Sequence, residues 1–148
     1  MISQKCQYAL RAIFELARRH GPGPVKIADV AQAQAIPPRF LEVILSQLKQ
    51  GGFVVSQRGA RGGYLLARPP EDLTVGEIIR FVEGPMGPVI CAGGGDATHC
   101  RFQGDCVFLP MWERVRQAMS SVYDTTTFQH LVDEFQRRTE TYVPSYTI

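Results

Sequence analysis

Pro38-Arg-Phe-Leu-Glu-Val-Ile-Leu-Ser-Gln-Leu-Lys-Gln-Gly-Gly-Phe-Val-Val-Ser-Gln-Arg-Gly-Ala-Arg-Gly-Gly-Tyr-Leu-Leu66 reads in three pieces, and those pieces decide the fold. Leu41, Ile44, Leu45 and Leu48 recur at the spacing of a helix that buries one stripe. Pro38 suits the first turn of that helix, where a missing N–H has no partner to lose, and Gly51-Gly52 ends it. The opposite face carries Arg39, Glu42, Val43, Ser46, Gln47 and Lys49. Phe53–Arg58 is β-prone, Gly59-Ala-Arg61-Gly-Gly63 is a glycine-rich turn, and Tyr64–Ala67 is β-prone again. The pattern predicts a hairpin with arginines at its tip.

Upstream, Cys6, Ala9, Leu10, Ile13, Phe14 and Ala17 trace the stripe of a first helix, which Gly21-Pro22-Gly23-Pro24 stops. Ile27, Val30 and Ala31, with Ala35 as a further candidate, indicate a short second helix that ends at Ile36-Pro37-Pro38. Three helices followed by a basic hairpin is the element order of a winged helix-turn-helix. The expected fold is therefore mainly α with a small β-hairpin wing. In that fold the exposed face of the third helix enters the major groove of double-stranded DNA and sets Arg39, Glu42 and Ser46 against base edges. Arg58 and Arg61 on the wing can reach phosphates or the minor groove, and the Glu42 carboxylate can accept from cytosine N4.

Charge supports this assignment. Residues 1–68 hold ten Lys or Arg against three Asp or Glu, a balance of +7, whereas residues 69–148 hold six against eleven, a balance of −5. A basic half implies a polyanionic partner. A helical bundle with a hairpin could also be a protein-interaction module with a solvated arginine turn. Agreement between the charge division, the glycine stop and the basic wing favours DNA.

Downstream of Pro69-Pro70, Thr74-Val-Gly-Glu77 reads as a capping box that opens a helix with Val75, Ile78, Ile79 and Val82 on one face. Gly84-Pro85 closes it. Next comes Cys91-Ala-Gly-Gly-Gly-Asp-Ala-Thr-His-Cys100-Arg-Phe-Gln-Gly-Asp-Cys106, with three of the four cysteines separated by eight and five residues. So apolar-poor a loop is not a core element, and its glycines let the backbone wrap a centre. Three thiolates suit a metal centre, iron–sulfur or zinc; one disulfide with a spare thiol is the other reading.

Pro110 then starts a longer helix with the stripe Met111, Val115, Ala118, Met119 and Val122. Asp124 and Thr125 are candidate caps for a last helix bearing Phe128, Leu131, Val132 and Phe135, and the tail from Tyr142 has no clear period. The chain divides into a winged domain (1–84), a cysteine-rich loop (85–107) and a dimerisation helix with a C-terminal helix (108–148). The long helix lacks an obvious partner, so a homodimer is expected, its two recognition helices roughly 34 Å apart on a partly palindromic operator. Packing back on the first helix is the alternative, and the two contacts can coexist.

The 148 residues are 45% hydrophobic, enough for a core. No apolar run approaches the roughly 20 residues that span a bilayer. Met1-Ile-Ser-Gln-Lys5 lacks the basic-then-apolar order of a secretory signal, so no membrane and a cytoplasmic location are expected. A reducing compartment favours metal or redox roles for the cysteines over disulfides. The only histidines are His20, His99 and His130, and no nucleophile–base pair or phosphate-binding loop is visible, so no catalytic residues are assigned and an enzyme is not expected.

Tyr8-Ala-Leu-Arg11, Phe40-Leu-Glu42, Arg58-Gly-Ala-Arg-Gly-Gly-Tyr-Leu-Leu66, Thr74-Val-Gly-Glu77 and the three-cysteine loop together resemble the iron–sulfur cluster regulators of the IscR and NsrR type, bacterial winged-helix transcription factors. The resemblance implies DNA contacts from Arg39, Glu42 and Arg58. It also implies an iron–sulfur cluster, 2Fe-2S or 4Fe-4S, held by Cys91, Cys100 and Cys106, whose state sets DNA affinity in response to iron, redox or nitric oxide. Two departures stand out. The gap between Cys91 and Cys100 is longer than is usual in the family, and the fourth ligand is missing from its familiar places, which hold Leu109 and Gln7 here. His99 and Cys6 are the candidate fourth ligands, with Asp96 and Asp105 behind them. Rival readings are a thiol or zinc sensor on the same fold and, from another class, an iron–sulfur electron carrier.

Overall fold

The computed structural model describes residues 1–94 and 100–141. Among the described residues six helices and one hairpin follow in order: α1 (Gln4–Arg18), α2 (Ile27–Gln34), α3 (Pro38–Gln50), β1 (Val54–Gln57), β2 (Gly63–Leu66), α4 (Val75–Glu83), α5 (Leu109–Thr125) and α6 (Phe128–Thr141). Short 3-10 turns lie at Pro70–Asp72 and Ile90–Ala92. The winged helix-turn-helix expected from the sequence is the observed architecture, with β1 antiparallel to β2 in the register Val54–Leu66 to Gln57–Gly63.

The core forms around α1. Cys6, Ala9, Ala12, Ile13, Leu16 and Ala17 are all buried, and the small side chains among them let α2, α3, α4 and α6 approach its axis. Ser3 caps α1 by accepting a hydrogen bond from the Cys6 amide at 3.1 Å. The stripe of α3 buries Leu41, Ile44, Leu45 and Leu48 as expected. Ala35, expected as a possible apolar position of α2, is instead its C-cap at φ 51°, and Ile36 takes the buried place. The chain must turn there before Pro37 and Pro38, and a left-handed residue is what ends a helix abruptly.

The wing is anchored at both ends. Val25 and Tyr64 exchange backbone hydrogen bonds of 2.9 and 2.8 Å, so the segment before α2 adds an isolated bridge to β2. A Cβ on Gly63 would drive into the Val25 carbonyl, so this close approach requires glycine. At the other end Phe53 meets Phe81 of α4 edge to face, with ring centroids 5.0 Å apart.

The capping box of α4 forms in full: Thr74 Oγ1 accepts from the Glu77 amide, and the Glu77 carboxylate accepts from the Thr74 amide at 2.9 Å. The caps expected for α6 are corrected. Thr127 Oγ1 accepts from the His130 amide at 3.1 Å, and His130 Nδ1 accepts from the Thr127 amide at 3.2 Å. Asp124 is engaged elsewhere, and Thr125 hydroxyl donates back to the Ser121 carbonyl. The start of α6 is fixed from outside, because the Thr126 carbonyl accepts from Val75 N–H and Phe128 N–H donates to the Leu73 carbonyl. Beyond that bridge α6 returns to α1. Phe128 and Val132 join the core, and Phe135 packs edge to face on Phe14 at 5.7 Å.

α5 is different: none of its residues is buried, and Met111, Val115 and Val122 are 43%, 37% and 62% exposed. Among the described residues its main contacts are with α4 and the Ile90–Ala92 turn. Among the described residues no helix is long and apolar enough to cross a membrane. The tail from Tyr142 lies outside the described residues.

Candidate nucleic-acid interface and thiol loop

Helical spacing puts Arg39, Val43 and Ser46 on one line along α3, with Glu42 beside it, directly opposite the buried leucines. All four are exposed. Arg58 follows the last residue of β1, and Arg61 lies in the Gly59–Gly62 turn; both are exposed at the tip of the wing. The run Phe53–Arg58 therefore contributes its first and last residues to the flanks of the strand rather than to the strand itself.

Ion pairing separates these basic groups from seven other arginines. Arg18, Arg19, Arg68, Arg80, Arg116, Arg137 and Arg138 each pair with a carboxylate. Among the described residues no carboxylate pairs with Arg39, Arg58 or Arg61. Cations left uncompensated on α3 and the wing tip have the charge that phosphate contacts require.

Behind this surface sits a buried carboxylate that sequence reading missed. Glu15 of α1 is 0% exposed and accepts from Arg18, from Arg19 at 2.8 Å and from Gln34 of α2 at 2.9 Å. Burial alone would push its carboxyl up, but the hydrogen bonds from Arg18, Gln34 and Arg19 overcome that and hold it below its ordinary value of 4.5. Arg11 also donates to the Gln34 carbonyl at 3.1 Å, so α1 and α2 are tied together at the point where the chain turns toward α3. An acidic residue on the buried stripe, with arginines three and four positions later, was the available signal.

The second candidate region lies at the junction of α4 and α5. Arg80 and Asp124 form a two-bond clamp of 2.5 and 2.7 Å between these helices. A pocket of about 530 Å³ beside it is lined by Arg80, Met86, Cys91, Glu113, Arg116 and Ser120, among others. Cys91 sits in the Ile90–Ala92 turn that packs on α5. Cys91 and Cys100 are exposed, Cys106 is half-buried, and all three are free thiols. Their chemistry suits a soft metal centre. Among the described residues, however, no three His, Cys, Asp or Glu side chains converge closely enough to hold a metal ion. Residues 95–99 of the loop lie outside the described residues.

Of the candidate fourth ligands, His99 and Asp96 lie outside the described residues, and Asp105 is exposed. Cys6 is fully buried in the core under α4. Burial, reinforced by the charge and hydrogen bond of Glu83, pushes its thiol up to about 11. A thiol so reluctant to ionise is a poor ligand, since metals bind the thiolate.

A family model described as an iron-dependent transcriptional regulator, Rrf2, matches residues 2–134. The chain is 35% identical over 142 residues to the transcriptional regulator CymR of Bacillus subtilis, covering 96% of both chains. The solved structure of CymR, the global cysteine regulator of B. subtilis, superposes with a TM-score of 0.77 at 36% identity, over 90% of this chain and 97% of that one. IscR of T. potens gives 0.78 at 32% identity, over 99% and 94%. IscR of Escherichia coli O1:K1 / APEC is 30% identical over 132 residues, 89% of this chain and 80% of that one. With a wing, a recognition helix and a basic face already in place, these matches establish that the chain belongs to the Rrf2 family of DNA-binding transcription regulators.

Proposed function

We propose that this regulator acts in the cytoplasm as a homodimer on a partly palindromic operator, and that its DNA affinity is set by the state of Cys91, Cys100 and Cys106. The group we assign to those thiolates is an iron–sulfur cluster, 2Fe-2S or 4Fe-4S. When bound it would supply a centre open to iron loss, oxygen or nitric oxide. The observation that carries the DNA part is the set of unpaired cations Arg39, Arg58 and Arg61 on α3 and the wing. Glu42 and Ser46 complete the groove-facing set. Three free cysteines on one loop, and relatives named IscR, support the cluster.

Coupling runs through packed elements of this chain. The turn bearing Cys91 rests on α5, the Arg80–Asp124 clamp joins α5 to α4, and α4 packs on α1, which in turn supports α3. Ordering of the thiol loop can therefore bias how α5 presents itself to a second copy, and with it the spacing of the two α3 helices. A tenfold change in DNA affinity requires only about 1.4 kcal/mol of difference between the two states.

A second reading has its own support. The described thiols do not converge, and one relative is the cysteine regulator CymR. A thiol-redox or zinc-sensing regulator would use the same three cysteines. An absorption spectrum with iron and sulfide analysis on anaerobically purified protein separates the readings. Brown protein with matched iron and sulfide, losing both colour and its operator response in Cys100→Ala, is the expected result. Colourless protein that resists reconstitution, yet changes affinity on oxidation or on zinc binding, would replace the cluster with the second reading.

A further inference from the structure

We infer that Val43 reads thymine, by packing its side chain against the C5 methyl in the major groove; this rests on the placement of α3 in that groove. Val43 is 55% exposed on a face otherwise made of Arg39, Glu42 and Ser46. It lies one turn from Arg39 and one from Ser46, so it occupies the middle of the line that meets the bases. Within one chain it is only half-covered and adds little to the core. Each base pair offers polar edges on the groove floor, and the thymine methyl is the one apolar group among them. A β-branched side chain has little rotamer freedom to lose on meeting it. Phe40, one turn earlier and 61% exposed, lines with Val43 and Tyr8 a largely apolar recess between α3 and α1, which extends the surface available to the methyl.

The test uses the full-length protein on a duplex selected from a random pool, with binding titrated at fixed salt. Each thymine is then replaced in turn by deoxyuridine, which pairs identically and lacks only the methyl. At one position per half-site the unmodified protein should lose affinity roughly fourfold, the value of burying about one methylene-sized group. Val43→Ala should bind the thymine and uracil duplexes equally, whereas Val43→Ile should keep the preference. No thymine-to-uracil difference at any position, or an unchanged difference in Val43→Ala, overturns the inference while leaving DNA binding intact. A Val43→Ala protein whose only change is its oligomeric state would assign Phe40 and Val43 to a protein contact instead. Failure to select any duplex would remove the groove placement itself, and the inference with it.

Discussion

Two buried titratable side chains on α1 behave oppositely, and their surroundings explain why. Glu15 has three donors around it and stays ionised below its ordinary value of 4.5, whereas Cys6 sits among apolar neighbours near the Glu83 carboxylate and stays protonated to about 11. Because the folded-state value of Glu15 is depressed, its contribution to stability is complete above pH 4.5 and is lost as the pH falls through the folded value. Glu15→Gln should cost about 2 kcal/mol at pH 7, the range of hydrogen bonds to a charged group. Urea midpoints should show the gap from the parent protein closing as the pH drops below 4.5. A gap constant across pH would mean that the charge contributes nothing. For Cys6, alkylation of the native, metal-free protein followed by peptide mass analysis should modify Cys91, Cys100 and Cys106, and reach Cys6 only after unfolding. Rapid labelling of Cys6 would show that the α1–α4 contact opens readily.

Among the elements, α5 is the outlier. A helix of 17 residues with an apolar stripe and no fully buried residue draws only part of its stability from α4 and the Ile90–Ala92 turn, since most helical stability comes from packing an amphipathic face. Val122 is at 62% exposure, Val115 at 37% and Met111 at 43%, so the stripe is open in one chain, as the proposed homodimer requires. Val122→Asp should shift the protein toward monomer in sedimentation velocity and weaken binding to a two-half-site duplex by at least tenfold, while leaving the thermal unfolding of the winged core largely unchanged. An unshifted sedimentation coefficient would exclude α5 as the interface. α6 shows the contrary case. Its stripe was legible as Phe128, Leu131, Val132 and Phe135, but its destination on α1 was not, because a stripe specifies that a face is covered and not by what.

At the scale of the molecule, the basic half exposes cations on two different elements, α3 and the wing. Arg39 and Arg61 are 22 positions apart in sequence and belong to different elements, yet both stay free of carboxylates while seven other arginines are neutralised. Affinity for duplex DNA should therefore fall with rising salt. Arg58→Ala should weaken binding to all duplexes alike and reduce the slope of log K against log salt by about one contact. An unaltered slope would show that the wing tip stays clear of the backbone.

What the amino-acid order by itself determined is whatever depends on neighbours within one turn or one hairpin. The apolar period of α1 and α3, the Thr74–Glu77 capping box, the Gly51-Gly52 stop and the hairpin all lie within reach of short-range sterics and hydrogen bonding. Tertiary structure alone decided the rest. Thr127 rather than Asp124 caps α6, because the chain at 126–128 is bound to residues 73–75 and Asp124 is drawn to Arg80 on α4. Arg18 and Arg19 reach Glu15 from its own helix, but the third donor, Gln34, arrives from α2 only when the chain folds. Whether α5 had a partner within its own chain was likewise undecidable from its stripe. A partner is a property of how elements meet, and no local pattern encodes it.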